Sequence, residues 1–266
     1  MPIITLTTDF GLKDGNVGVM KGVIWGICPQ AQIADLSHLI TPQNIREAAL
    51  ILARSAPYFP KGSIHVVVVD PGVGTERRPM VARIGDWFYV GPDNGTITML
   101  LEYGEQEDWE IELVHLNKPG FWLPEVSHVF HGRDIFSPVA AHLANSVPFR
   151  ELGMTINDPV RLELPKPKRT SAGWLGEIIH IDHFGNLVSN IRIEHLGDIL
   201  NNKQDITVKL CDTKMDGVVN TFGERPEGEL IALFGSNGNL IVSVVNGNAA
   251  VRLNARIGVN IEVILP

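Results

Sequence analysis

The 266-residue sequence has only two cysteines, Cys28 and Cys211, far apart along the chain. Their scarcity excludes a disulfide framework, a Cys-x-x-Cys redox pair and a thiolate zinc cage, and makes a reducing cytoplasm the expected compartment. Positive charge is also short. With 22 Lys and Arg against 30 Asp and Glu the net charge is −8, which argues against a general nucleic-acid binder. The opening Met1-Pro2-Ile3-Ile4-Thr5-Leu6 lacks the basic start, apolar core and cleavage site of an export signal. No long apolar run goes unbroken. Leu230 to Val251 is uncharged, but Gly235-Ser236-Asn237-Gly238-Asn239 and Asn246-Gly247-Asn248 interrupt it, so it predicts a β-hairpin and not a membrane span. Gly-x-Ser-x-Gly is absent, and Gly72 with Gly74 fits neither the P-loop nor the dinucleotide fingerprint. There is no internal repeat at a fixed period.

What is present is a globular composition, 44% apolar and 20% charged, in a length suited to one large or two modest domains. The first half alternates strand-like runs with helical periodicity, the pattern of a parallel sheet with crossover helices. Ile3 to Thr7 predicts a strand. Val17, Met20, Ile24 and Ile27 predict a helix starting near Asp14, and Ile33 to Leu36 a second strand. A further helix is expected with Thr41 as its N-cap, Pro42 in its first turn and a stripe of Ile45, Ala48, Ala49, Leu52, Ala53 and Ala56. Ile64 to Val69, apolar on both faces apart from His65, predicts a buried central strand. Val81 to Ile84 and Trp87 to Val90 form a strand pair, and Asp134 to Leu143 a closing helix.

Pro165 to Ser171 is stiff, polar and basic, which places a linker at 166–173 between an α/β domain over 1–165 and a second domain over 174–266. Beyond it, strand-like runs at Leu175 to Ile181, Leu187 to Ile191, Ile206 to Leu210, Leu230 to Phe234, Leu240 to Val245 and Val259 to Ile264 predict a small β-barrel or sandwich.

Asp70 ends the central strand and opens the turn Pro71-Gly72-Val73-Gly74-Thr75, and Asp9 ends the first strand. Side chains at the carboxyl ends of parallel strands face the crevice where open α/β sheets bind ligands. Two acidic groups can therefore face one pocket. His128, His131 and Asp134 are spaced one helical turn apart, as metal ligands on a helix are, but Gly132 and Pro124 interrupt the helix that spacing needs and no His-Glu-x-x-His is present. His65 reads as a satisfied core histidine, and Arg133 with Asp134 as a helix-start pair.

Five motifs occur in order: Thr8-Asp9-Phe10-Gly11, Asp70-Pro71-Gly72-Val73-Gly74 with Arg77, Phe130-His131-Gly132-Arg133-Asp134, Ile181-Asp182-His183-Phe184-Gly185-Asn186, and Asn248-Ala249-Ala250. Together they resemble the S-adenosyl-L-methionine hydroxide adenosyltransferase family, which is related to the fluorinase and chlorinase. The resemblance implies hydrolysis of S-adenosylmethionine to adenosine and L-methionine, without a metal or other cofactor, by a homotrimer with active sites between the N-terminal domain of one subunit and the C-terminal domain of the next. Asp70, Arg77 and His131 match the family's water-activating triad. Asp9 matches the carboxylate that holds the ribose hydroxyls, and Asp14, Asp182 and Ser236 match contacts to the methionine amino and carboxylate groups. Phe184 and Phe222 match adenine-stacking rings, Asn186, Asn248 and Ala249 groups around the adenine edge, and Phe130 stands among the substrate contacts.

The departures point to the hydrolase branch. By the same resemblance, halogenases carry a non-acidic residue at the Asp70 position, and fluorinases place a serine at Gly132, an arginine at Asn237 and a longer insertion between Arg83 and Trp87. An anionic Asp70 repels halide but accepts a hydrogen bond from water. The chemistry is consistent with these residues. Attack on the ribose 5′ carbon expels a neutral thioether from a sulfonium, so no general acid is required. Water, with a pKa of about 15.7, needs an oriented base or a fixed cation beside it. Arg77 is the cation, and Asp70 or His131 the base.

Overall fold

In the computed structural model, residues 3–266 are described, apart from the side chains of Asp198 and Asn201. The chain divides into two compact units at Leu162/Glu163. The first is built outward from β1 (Ile3–Thr8), followed by α1 (Asn16–Ile27), β2 (Gln32–Ser37), α2 (Ile45–Ser55), β3 (Ile64–Val68), β4 (Pro79–Ile84), β5 (Trp87–Pro92), α3 (Thr98–Gln106), β6 (Ile111–His115), α4 (Ser137–Ala144) and β7 (Met154–Ile156). Its sheet has the order β2-β1-β3-β5-β4-β6-β7. The strands β2, β1, β3 and β5 are parallel, while β4, β6 and β7 join antiparallel. The expected parallel sheet is thus a mixed one. Gly85 and Asp86 alone connect β4 to β5, and two residues cannot make the crossover a parallel pair needs.

Every residue of β3 is buried, and its alternate side chains serve two cores. Val66 and Val68 pack with Met20 and Ile24 of α1 and Val139 and Leu143 of α4. Val67 and Val69 pack with Ala48 and Leu52 of α2 and Leu100 and Leu101 of α3. Helices on both faces explain the apolar run. Four expected details move. Helix α2 is capped by Asn44, whose side chain accepts from Glu47 N at 3.0 Å, and Thr41 N instead donates to the Glu47 carboxylate. Pro42 lies outside the helix because Gln43 is left-handed, φ 65°. Helix α1 begins at a Gly15 cap without a side-chain bond, so Asp14 does not cap it. The closing helix opens with a π-turn, Gly132–Phe136, before α4. Helix α3 escaped the periodicity because it is short and contains Gly104, where a Cβ would stand 2.7 Å from Ile84 Cγ2.

His65 sits fully buried, with Thr5 Oγ1 2.8 Å from its Nδ1. Burial pushes its pKa down to about 4 from 6.5. The unfolded chain therefore binds a proton between those values that the folded chain refuses, so stability falls as pH drops below about 6.5 and levels off below about 4. Replacing His65 by Gln is expected to remove about 2 kcal/mol of the stability lost between pH 7 and pH 4.5, measured by denaturant unfolding at both pH values. An unchanged acid loss would show that another group carries it.

The second unit contains β8 (Lys168–Arg169), β9 (Gly173–Ile181), β10 (Leu187–Arg192), β11 (Thr207–Leu210), β12 (Thr213–Asp216), β13 (Leu230–Phe234), β14 (Asn239–Val244), α5 (Ala249–Leu253) and β15 (Asn260–Ile264). Its antiparallel path β12-β11-β15-β9-β10-β14-β13 curls into a nearly closed barrel, with Val219, just past β12, bridging to Leu233 of β13. Ile178, Leu187, Val208, Leu240, Val242 and Ile261 belong to its core. Lys168 and Arg169 pair with Leu175 and Trp174, so part of the basic stretch is strand. At the seam between β12 and β13 lies a cavity of about 400 Å³ lined by Lys214, Asp216, Arg225, Glu229 and Arg252 among others. None of the expected site residues lines it. Among the described residues no helix is long and apolar enough to cross a membrane.

Candidate active site

The turn after β3 folds back on itself. Val73 N donates to Asp70 O, Thr75 N and Oγ1 both donate to Gly72 O, and Arg77 N donates to Thr75 Oγ1. Gly74 makes this possible with φ +76°, and the folding returns Arg77 onto Asp70. Arg77 Nε donates to Asp70 Oδ1 at 3.0 Å and its Nη2 to Asp70 Oδ2, a two-pronged pair with side chains only 7% and 4% exposed. The guanidinium carbon lies 5.5 Å from the centre of the Phe136 ring.

A second segment brings His131 to the same place. Buried Asp134 holds it: Asp134 Oδ2 accepts from Ser127 N at 2.8 Å, Asp134 O accepts from Leu123 N, and Ser127 Oγ accepts from Phe130 N at 3.0 Å. His131 Nδ1 then lies 3.0 Å from Arg77 Nη2. A guanidinium has only donors, so Nδ1 accepts and the proton of the neutral ring resides on Nε2. Burial lowers the His131 pKa below its ordinary value and the Arg77 charge adds to this, against opposing contributions from Asp70, Asp134 and the Ser127 backbone. Three residues from three positions, 70, 77 and 131, thus form one bonded cluster at the end of β3.

Asp9 stands at the end of β1, where its Oδ2 accepts from Gln43 N at 2.8 Å. Phe10 and Phe130 meet edge to face at 5.6 Å. Asp14 is exposed ahead of α1. In the second unit, Asp182 Oδ1 accepts from Phe184 N and Asn186 N, both at 2.9 Å, and Oδ2 accepts from Asn186 Nδ2 at 2.8 Å. That carboxylate shapes the β9–β10 turn and leaves Phe184 72% exposed. Gly185 in this turn packs against Asn248, whose side chain lies 2.2 Å from where a Cβ would be. Asn248 caps α5 by accepting from Val251 N at 2.8 Å, and Ala249 behind it is buried. Asp182, Phe184, Asn186 and Asn248 are therefore one group. Ser236 is exposed in the β13–β14 turn, and Phe222 lies exposed in a 3-10 turn, apart from that group in sequence.

Among the described residues no three His, Cys, Asp or Glu side chains are grouped to hold a metal ion. Asp134 is occupied by Arg133 and Ser127, and His131 faces Arg77. Gly132 is crowded: a Cβ there would meet Val68 Cγ1 at 3.1 Å and Phe130 Cε2 at 3.3 Å, so a serine would force its neighbours to shift. The sequence offered Asp134 as a helix-start partner of Arg133 or a member of a metal triad and gave no role to Gln43, because neither anchoring bond follows from local spacing.

Residues 4–153 match the S-adenosyl-L-methionine (SAM) hydroxide adenosyltransferase N-terminal domain, and residues 176–262 match its C-terminal domain. The chain belongs to the SAM hydroxide adenosyltransferase family. It is 37% identical to the (R)-S-adenosyl-L-methionine hydrolase of Salinispora tropica, over 94% of this chain and 92% of that one. Identity to the (R)-S-adenosyl-L-methionine hydrolase of Thermus thermophilus is also 37%, over 97% of both chains. An uncharacterized conserved protein of Thermotoga maritima superposes with a TM-score of 0.90 at 34% identity, covering 98% of this chain and all of the other. The first match falls within the first unit and the second within the second.

Proposed function

We propose that the chain hydrolyses S-adenosyl-L-methionine to adenosine and L-methionine, with the bonded Asp70–Arg77–His131 cluster, its ion pair buried, as the observation that carries the reading. Water oxygen bonds to the ribose 5′ carbon, the carbon–sulfur bond breaks with its electron pair left on sulfur, and one water proton leaves. Sulfonium charge disappears in the step, so a site that excludes bulk water favours it. Arg77 supplies the fixed cation: its Nη1 is buried and has no protein partner, a donor for the incoming oxygen. His131 offers no free lone pair, because Nδ1 accepts from Arg77 and Nε2 carries the ring proton. Asp70 spends one lone pair of each oxygen on Arg77 and retains others, which makes it the proton acceptor in this reading, with His131 orienting Arg77. Holding water in line contributes about 7 kcal/mol or more through avoided entropy and reorganisation.

In the same proposal Asp9 holds the ribose hydroxyls and Phe130 lines the substrate site. Asp14, Asp182 and Ser236 meet the methionine end, Phe184 and Phe222 stack on adenine, and Asn186, Asn248 and Ala249 surround its edge. Exposed Phe184 supports a stacking role, since a bare ring at 72% exposure gains by being covered. The assembly is a homotrimer in which the first unit of one subunit faces the second unit of the next. Large apolar side chains exposed on the first unit, Leu12, Leu39 and Val129, and on the second, Phe184 and Val251, support such an interface. Two free cysteines fit a cytoplasmic protein.

The test is incubation of purified protein with S-adenosylmethionine, in chloride-containing and chloride-free buffer, with and without chelator, and identification of products by liquid chromatography and mass spectrometry. Adenosine and methionine in every condition are expected. A chlorinated adenosine appearing only with chloride would move the protein to the halogenase branch. Tight binding with intact substrate would make it a sensor, and turnover lost to chelator and restored by metal would require a metal hydrolase.

A further inference from the structure

Four side chains of the first unit form a line of polar contacts that the proposed reaction leaves unused. Lys21 Nζ donates to Asp35 Oδ2 at 2.6 Å, and Asp35 Oδ1 lies 3.1 Å from His38 Nε2. At the other edge of the ring, Nδ1 is 2.9 Å from Thr8 Oγ1. The outer pair is partly exposed, whereas the His38 side chain is 3% exposed and Thr8 is wholly buried. Nε2 stands at ion-pair distance from Asp35 but has no aligned hydrogen-bond partner, so the contact that orients the ring is the one at Nδ1 with Thr8.

The inner end of this line grips the turn that carries Asp9. Thr8 Oγ1 also accepts from Phe10 N at 3.3 Å, and the His38 carbonyl accepts from Gly11 N at 2.8 Å. Five residues further on, Gln43 is left-handed, φ 65°, and its N–H meets the Asp9 carboxylate at 2.8 Å. The segment from His38 to Gln43 therefore holds the Thr8–Gly11 turn at three points, two of them through His38. A buried imidazole bonded to a threonine at Nδ1 and without an aligned partner at Nε2 is a poor choice for packing alone, because an unmatched polar edge costs more than an apolar ring.

We infer that His38 is a positioning residue for the ribose end of the substrate: set beside the Asp35–Lys21 pair, it fixes Thr8 through Nδ1 and Gly11 through its carbonyl, and through them the angle at which Asp9 meets the ribose hydroxyls. The inference rests on the reading of Asp9 given above. Its signature is a loss of discrimination for the 2′-hydroxyl, which a general weakening of the fold would not produce.

The experiment measures Kd for adenosine and 2′-deoxyadenosine by calorimetry, and KM and kcat for S-adenosylmethionine, in the parent, Thr8→Val, Thr8→Ser, His38→Gln and Asp9→Ala. Thr8→Val and His38→Gln are expected to cut the preference for adenosine over 2′-deoxyadenosine about tenfold and to raise KM by a similar factor. The effect on kcat is smaller, and Thr8→Ser restores the parent values. Parent-like discrimination in both Thr8→Val and His38→Gln, with discrimination lost in Asp9→Ala, would overturn the role of His38 and leave that of Asp9 standing. Discrimination retained in Asp9→Ala would overturn both. A lowered melting temperature with an intact ratio of the two Kd values would reduce His38 to a structural residue.

Discussion

Arg77→Met is expected to lower kcat about 1000-fold and to cost about 3 kcal/mol of stability. Methionine fills much of the same space but removes every donor that holds the 4%-exposed Asp70 carboxylate, and it releases His131 Nδ1. The stability loss comes mainly from the carboxylate left buried without a partner, not from the pair's own attraction. The double variant Arg77→Met with Asp70→Leu separates the two effects. Stability recovers toward the parent, since two apolar side chains replace a broken ion pair, while activity stays lost. Steady-state kinetics and denaturant unfolding check both. A single variant retaining a tenth of parental kcat would remove Arg77 from the chemistry.

Gly74→Ala is expected to reduce kcat about 100-fold without touching any reacting group. Its φ of +76° already disfavours a side chain, and the added Cβ would stand 2.1 Å from His128 O. Backbone meets backbone there, so the loop from Asp70 to Arg77 and the segment that ends in His131 must part. The 3.0 Å contact between Arg77 and His131 spans that junction, and a displacement of about 1 Å is enough for a loss of this size. Gly72→Ala is the control. A Cβ at Gly72 would meet nothing closer than 3.5 Å, and activity within about threefold of the parent is expected. Equal losses in both variants would show that the loop's flexibility matters and not the contact.

Much of this protein was determined by its sequence alone. The run of β3, apolar on both faces apart from His65, required cover on both faces, and its burial in two cores follows from that pattern. Six of the eight strands of the second unit were legible as apolar runs between turn residues, while β8 lay in the expected linker and β12 escaped, and the glycines at 72 and 74 marked a folded loop after Asp70. Asp70, Arg77 and His131 were found as members of ordered motifs. What local spacing did not contain is that they touch.

Tertiary structure decided the rest. Only packing brings residue 131 to residue 77, and only then does a donor-only guanidinium fix which histidine nitrogen holds the proton. The antiparallel edge of the sheet, the cap at Asn44 and the π-turn before α4 depend on contacts across turns, where propensity is weak and a left-handed residue such as Gln43 overrides it. Asp134, Gln43 and His38 reach their partners over 7, 34 and 30 residues. Periodicity reports which face of an element is apolar. It carries no information on where a polar side chain finds its partner, because that distance is set by the closing of the fold.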